Sequence, residues 1–155
     1  MKRSLITAAS VIAASAGVTA TVATTSSSAA TAHAASTATV QLRSTGKGKI
    51  LVNAKGFVLY DFAKDPKGGE ACQKVSGCLK VWPALISSKP TAGPGVKSSL
   101  LGTVKLTNGQ RQVTYAGHPL YGYVADDAPG DTDYIGVSQF GGAWDALTAS
   151  GGIVK

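Results

Sequence analysis

The stretch Leu120-Tyr121-Gly122-Tyr123-Val124-Ala125-Asp126 carries a pattern that the chain uses twice. Its partner is Leu59-Tyr60-Asp61-Phe62-Ala63-Lys64-Asp65, which lies 61 positions earlier. Both read Leu-Tyr-x-aromatic-x-x-Asp, and we call them the motif stretches. A pattern that recurs within 155 residues predicts a duplicated structural unit, but it does not by itself name a chemistry.

The residues around both motif stretches predict short strands separated by glycine-containing turns. Helical periodicity is hard to find, and Asn108-Gly109 is a strong hairpin signal. We therefore predict an all-β domain of two similar antiparallel meander repeats, packed as a small sandwich or a barrel-like domain. The predicted strands are 40–43, 49–53, 57–63, 103–107, 112–115, 118–124 and 153–154.

Alternation along a strand assigns the motif aromatics to one face. Residues two apart in a strand share a face, so Tyr60 lies with Phe62, and Tyr121 lies with Tyr123. Leucines precede both tyrosines and point to the opposite face, which predicts central rather than edge strands. We expect the aromatic face to form the core of each half, with tyrosine hydroxyls that need hydrogen-bond partners.

The motif aspartates, Asp65 and Asp126, follow their strands where the chain should turn. A carboxylate there can accept hydrogen bonds from the turn backbone or from a tyrosine hydroxyl, which is a structural role. The alternative is that both aspartates line a cleft between the halves together with Tyr60 and Tyr121. Aromatic rings beside carboxylates could hold a sugar, a cation or a peptide.

The first 34 residues have the form of a secretory signal peptide. A basic start, Met1-Lys2-Arg3, precedes an Ala-rich apolar run, and Ala32-His33-Ala34 fits a cleavage site. We therefore expect residues 1–34 to be removed and the product to be secreted. No cysteine precedes Cys72, so we expect no lipid anchor on an N-terminal cysteine.

The remaining residues, 35–155, are predicted to form a single secreted β-domain. Repeat one spans about 40–86 and repeat two about 100–155. Between them, residues 87–99 are rich in Ser, Pro, Gly and Lys, which predicts a long surface loop. No transmembrane segment is expected once the signal is removed.

The charge balance favours an anionic partner. Without Lys2 and Arg3 the chain has thirteen basic and eight acidic residues. Such an excess of positive charge suits a cell-wall or other anionic surface polymer, although it also serves solubility. The basic residues are scattered rather than clustered, so we expect no specific binding of nucleic acid.

The two cysteines, Cys72 and Cys78, predict a disulfide, because close cysteine pairs in exported proteins are usually oxidised. A metal-binding or redox pair is the alternative. The five intervening residues do not match the C-x-x-C spacing of such pairs.

Few residues in the sequence support a metal site or a catalytic site. His118 is the only histidine after the signal, and the loop carrying Asp126, Asp127, Asp131 and Asp133 lacks the order of an EF-hand. We assign no cofactor, and we keep a metal or cofactor site at His118 and residues 126–133 as an alternative function. A small hydrolase that uses the motif carboxylates is a second alternative.

Several segments outside the motif stretches carry a family resemblance. They are Val81-Trp82-Pro83, Val113-Thr114-Tyr115-Ala116-Gly117, Pro129-Gly130-Asp131-Thr132 and Gly141-Gly142-Ala143-Trp144. Together with the motif, the chain resembles the bacterial secreted-repeat family, also described as predicted lipoproteins, whose hallmark is Tyr-x-(Phe/Trp/Tyr)-x-x-Asp. The resemblance maps that hallmark onto Tyr60, Phe62, Asp65, Tyr121, Tyr123 and Asp126.

This resemblance implies no biochemical function, because the family has none assigned. We interpret the chain as a secreted, extracellular β-repeat protein in loose association with the cell envelope. The absence of catalytic signatures favours a non-catalytic binding or structural module, and we assign no catalytic residues.

Overall fold

The computed structural model describes residues 37–155, so the predicted signal peptide at residues 1–34 lies outside the described residues. The described chain is nearly all β, as predicted, with one helical turn, α1 (Cys78–Val81), and two short 3-10 turns at Cys72–Lys74 and Ser98–Leu100. Its strands are β1 (Thr39–Thr45), β2 (Gly48–Asn53), β3 (Tyr60–Phe62), β4 (Thr91–Ala92), β5 (Leu101–Lys105), β6 (Arg111–Tyr115), β7 (His118–Pro119), β8 (Val137–Gln139), β9 (Gly142–Leu147) and β10 (Ile153–Val154).

The strands of the described residues form three sheets, and none of the sheets closes into a barrel. The sheet orders are β2-β1-β4, β5-β6-β7 and β10-β9-β3, with β8 also paired to β9. All strand pairs are antiparallel except β1 with β4. The barrel-like form of the predicted packing is therefore not the one adopted.

The predicted meander is complete in the second half and interrupted in the first. There β1 pairs with β2, but the next contact along the chain is a single bridge between Val52 and Val58. The following strand, β3, then leaves this sheet and pairs with β9 of the second repeat. The predicted strand 118–124 is also shorter, because regular pairing ends at Pro119 and Tyr121 makes isolated bridges.

Each repeat completes the other at the centre of the molecule. Tyr60 pairs with Ala146 of the second repeat, and Tyr121 pairs with Ala84 of the first. The two tyrosines also face each other, with backbone hydrogen bonds of 2.9 Å (Tyr60 N–H to Tyr121 C=O) and 3.0 Å (the reverse). The order of paired residues across the centre is thus Ala146–Tyr60–Tyr121–Ala84. The C-terminal part of each repeat, which we call its C-terminal arm, therefore pairs with the motif stretch of the other repeat. We call this arrangement the exchange of arms.

Two hydrophobic clusters lie on opposite faces of the motif stretches. Tyr60, Phe62 and Tyr121 belong to one cluster, whereas Leu59 and Leu120 belong to the other. The predicted alternation of faces is therefore confirmed. The expectation of one aromatic core for each half is wrong, because the backbone bridge between Tyr60 and Tyr121 brings both aromatic faces into a single shared core.

Candidate functional site

The motif tyrosines and aspartates form hydrogen bonds that cross between the repeats. The Tyr60 hydroxyl donates to Asp126 Oδ1 at 3.0 Å, and the Tyr121 hydroxyl donates to Asp65 Oδ2 at 2.7 Å. Both tyrosines are fully buried, and both aspartates are half-buried. We call these the crossed pairs. They are brought together inside the molecule and do not line an open cleft.

Glu70 is a member of this site that sequence reasoning missed. Its Oε1 accepts a hydrogen bond from the Gln73 backbone N–H at 2.6 Å, and it also lies 3.2 Å from the Tyr121 hydroxyl, which is thus shared with Asp65. Its Oε2 is buried without a partner. The available signal was the repeat itself, because Glu70 lies 61 positions before Asp131 and is the only glutamate in the chain. Asp131 is correspondingly close enough to Tyr60 to influence its titration.

Burial dominates the electrostatics of the crossed pairs. It raises the pKa of Asp65 and of Asp126 to about 6, more than the bonds from the two tyrosines lower them. Burial, followed by the neighbouring carboxylates, also raises the pKa of Tyr60 and Tyr121. Both hydroxyls therefore remain protonated at neutral pH, so each can donate the hydrogen bond that joins its repeat to the aspartate of the other.

A stack of aromatic rings contacts the tyrosines of both crossed pairs, and we call it the aromatic column. Trp82 and Trp144 lie face to face, with ring centroids 4.1 Å apart and an interplanar angle of 3°. Phe62 stacks on the outer face of Trp144 at 4.3 Å, and Tyr123 stacks on that of Trp82 at 4.1 Å. Each tryptophan thus carries a ring from the opposite repeat.

The buried tyrosines meet the column edge-on. Tyr60 lies 5.0 Å from Trp82, and Tyr121 lies 5.1 Å from Trp144, between ring centroids. Tyr134 extends the column from Tyr123 at 4.3 Å. Because the two halves of the column make matching contacts, the motif aromatics and the two tryptophans repeat about an approximate two-fold axis between the indole rings.

Two of the predicted metal-site side chains, those of His118 and Asp131, have other partners. His118 Nδ1 lies 3.0 Å from Asp61 Oδ1, and Asp131 Oδ1 accepts the Asp133 backbone N–H at 3.0 Å. The side chains of the remaining candidates, Asp127 and Asp133, are exposed. Within residues 37–155, no group of three or more His, Cys, Asp or Glu side chains is placed to hold a metal ion.

Two further carboxylates that sequence reasoning left out lie near His118. Asp61 and Asp145 face each other across β3 and β9, with exposed fractions of only 4% and 3%. Burial raises the pKa of both groups. Their proximity could not be anticipated, since it depends on the exchange of β9 between the repeats.

The predicted disulfide is confirmed. Cys72 and Cys78 are bonded, both are fully buried, and their Cα atoms lie 5.4 Å apart. The pair fixes the segment that carries Ala71, whose backbone N–H donates to Asp65 Oδ1. The cysteines therefore support the Tyr121–Asp65 crossed pair instead of binding a metal.

The equivalent substitutions Asp65→Asn and Asp126→Asn should have different effects on stability. Asp65 uses both carboxylate oxygens as acceptors, so an amide there loses one bond, at a cost of about 1 to 3 kcal/mol. Asp126 Oδ2 is buried without a partner, so an amide there should be neutral or stabilising. Denaturant melts of both variants check this, and equal destabilisation would contradict the assigned contacts.

The raised pKa values predict that the fold is more stable in mild acid. Asp65 and Asp126 titrate near 6 when folded and near their ordinary 3.8 when unfolded, so between these values the folded state holds more protons. This contribution is fully present below about pH 4 and is lost as the pH rises through 6. Thermal melts in high salt should give a higher Tm at pH 5 than at pH 8, and the opposite order would refute the shifts.

Similarity to a known protein family is found in both repeats of the chain. No curated protein and no solved structure matches the chain. A family model described as "secreted repeat of unknown function" matches residues 42–86 and 102–148, which together exceed half of the chain. These two matched segments contain both motif stretches and both tryptophans of the aromatic column. The chain therefore belongs to the family of secreted repeats of unknown function.

Proposed function

We propose that this protein is a non-catalytic, extracellular module that binds an anionic polymer of the cell envelope. The observation that carries the proposal is the separation of charge between surface and interior. All thirteen Lys and Arg side chains of residues 37–155 are exposed, whereas only Asp127 and Asp133 are exposed among the eight acidic residues. The surface is therefore more cationic than the composition alone indicates.

None of the exposed Lys and Arg side chains forms a close ion pair within residues 37–155, and Lys74 and Lys155 interact with Glu70 and Asp145 only at longer range. The only ion pair among residues 37–155 joins His118 to Asp61. Unpaired cations spread over a small surface add to a long-range positive potential that attracts polyanions. A cavity of about 300 Å³ beside β1 is lined partly by Arg43 and Lys49 and contains no motif residue.

Membership of a secreted family supports an extracellular location. Among residues 37–155, none of the helical segments has the length and apolar character needed to cross a bilayer. We propose that retention near the cell rests on non-covalent contacts, which the exposed lysines provide. We propose no catalytic role for the motif carboxylates, because each already accepts a hydrogen bond from a buried tyrosine.

Retention on immobilised polyglycerol phosphate tests this function. The protein should be retained at about 0.05 M salt and released at about 0.5 M, because the Debye length at the higher salt is only about 4 Å and the charge attraction is screened. Anionic vesicles and polyglutamate, used in parallel, separate lipid and carboxylate partners from a phosphate polymer. No retention on any of these at low salt would refute the proposal.

A matched pair of variants shows whether charge or side-chain shape is responsible. Lys47→Glu/Lys49→Glu should elute at lower salt than the parent protein, while Lys47→Arg/Lys49→Arg should elute with it. Both lysines are exposed, and the hydrogen bond from Lys47 Nζ to the Lys155 carbonyl oxygen is exposed as well, so neither double variant should change the Tm appreciably. Equal elution of all three proteins would exclude this part of the surface.

A further inference from the structure

The aromatic column links the protein surface to both buried tyrosines. Its outer end consists of Tyr134 and Tyr123, which are half-buried, and its inner end is Phe62, which is 1% exposed. Every neighbouring pair of rings along the column has centroids between 4.1 and 4.3 Å apart. Within the column, tyrosine rings, which can be oxidised, reach the solvent at the outer end. Phe62, the ring that is hardest to oxidise, occupies the buried inner end.

The crossed pairs provide what a buried phenol needs to lose an electron. An oxidised phenol is a strong acid, so its hydroxyl proton must pass to a base within hydrogen-bonding distance. Asp126 and Asp65 offer carboxylate oxygens at 3.0 and 2.7 Å from the two hydroxyls. Phenylalanine would fill the same space without this coupling.

We propose that the aromatic column is a one-electron oxidation relay that ends at the crossed pairs. An extracellular one-electron oxidant removes an electron from Tyr134 or Tyr123, and the electron deficiency passes through Trp82 and Trp144. An electron from Tyr60 or Tyr121 then reduces the oxidised tryptophan, and the hydroxyl proton of that tyrosine moves to its paired carboxylate.

The step is balanced and reversible. The oxidant gains one electron, one tyrosine becomes a neutral phenoxyl radical, and one aspartate becomes a carboxylic acid, with no bond between heavy atoms made or broken. A small reductant such as a thiol or ascorbate then supplies an electron, and the carboxylic acid returns the proton. Oxidising equivalents that strike the surface would thus be held inside the protein instead of damaging its environment.

Tyr115 is the natural control within the same chain. It is fully buried, but its hydroxyl donates to the backbone carbonyl of Ala149 at 2.7 Å, and it belongs to the other hydrophobic cluster. It therefore has neither a carboxylate base nor contact with the column. A general tendency of buried tyrosines to oxidise would include Tyr115, whereas the relay excludes it.

The experiment uses the secreted protein and photogenerated ruthenium(III) tris-bipyridine as the oxidant. Freeze-quench EPR and transient absorption should show a tyrosyl radical that Tyr60→Phe and Tyr121→Phe alter and that Tyr115→Phe leaves unchanged. Trp82→Phe should remove most of this buried signal and leave radicals at the surface tyrosines. Near-UV circular dichroism confirms that each variant is folded.

Proton transfer gives a readout that a purely structural role would not change. Asp126→Asn together with Asp65→Asn should slow tyrosyl formation about 100-fold, the usual contribution of a positioned base. The parent rate should also fall below pH 6, as both carboxylates are protonated. The charged or titratable groups around them are Glu70 and Asp61 beside Asp65, and Asp127 and Asp131 beside Asp126.

Two results would overturn the relay. One is a radical confined to Tyr123 and Tyr134 whose yield and lifetime do not depend on Trp82. The other is a buried tyrosyl radical that forms at the same rate at pH 5 and pH 8 and in the asparagine variants. Binding of anionic polymers plays no part in this experiment, so its outcome is independent of the proposed function.

Discussion

Truncating either stacked tryptophan should destabilise the protein by about 3 to 5 kcal/mol, the range for removing a large buried aromatic side chain. Trp82 and Trp144 are both fully buried, and each contacts rings from both repeats. Since many small domains have only about 5 to 15 kcal/mol of stability, Trp82→Ala or Trp144→Ala could leave little folded protein. Urea melts followed by circular dichroism measure the loss.

Because the column has an approximate two-fold axis, Trp82→Ala and Trp144→Ala should lower the free energy of unfolding by similar amounts. Gln139→Ala is the control for the indole hydrogen bond of Trp82, because Gln139 Oε1 accepts from Trp82 Nε1 at 2.8 Å, whereas Trp144 Nε1 donates to the Gln139 backbone carbonyl. Its loss should cost about 1 kcal/mol, well below the truncations. A loss below 1 kcal/mol for either tryptophan would show that the column is not the centre of the core.

Separating the two repeats should abolish folding altogether. A cut between Val96 and Lys97 gives fragments 37–96 and 97–155, and each fragment loses the strands that pair with its motif tyrosine. Each fragment also loses the opposing tryptophan of the stacked pair. We expect both fragments to lack near-UV circular dichroism alone and to recover the native spectrum when mixed in equal amounts.

The intact chain with a protease site inserted at the same position is the control. Cleavage after folding should leave the spectrum unchanged, because the contacts between repeats remain. If either fragment folds alone with a native-like spectrum, then its C-terminal arm pairs within its own repeat and the two repeats do not exchange their arms.

The sequence was sufficient to predict the fold class, the repeat and the disulfide. The alternation of Leu59 with Tyr60, and of Leu120 with Tyr121, correctly placed these residues on two faces, because strand geometry fixes the direction of neighbouring side chains. The glycine-containing turns and the Asn108-Gly109 hairpin likewise placed the second meander, since turn chemistry is local.

The crossed pairs could not be predicted from the sequence. A tyrosine hydroxyl can reach a carboxylate of its own motif stretch or of the other, and two similar repeats offer the same residue types in both arrangements. The same ambiguity affects β3, whose partner is β9 of the second repeat instead of β2 of its own. Long-range pairing, which local propensity does not encode, decided both outcomes.

Glu70 and Asp145 were missed for a related reason. Neither belongs to the motif, and a single carboxylate in a polar or alternating segment is typical of a solvated position. Both are buried, Glu70 beside Tyr121 and Asp145 opposite Asp61, and in each case the neighbour belongs to the other repeat. Only the 61-residue offset between Glu70 and Asp131 gave a sequence signal, and it indicated equivalence without indicating burial.

The most direct test of the exchange is a set of double-mutant cycles on the crossed pairs. Tyr60→Phe with Asp126→Ala, and Tyr121→Phe with Asp65→Ala, should show coupling energies of about 1 to 3 kcal/mol. The pairs within one repeat, Tyr60 with Asp65 and Tyr121 with Asp126, should be additive within about 0.5 kcal/mol. Coupling within the repeats, together with additivity between them, would contradict the exchanged arrangement.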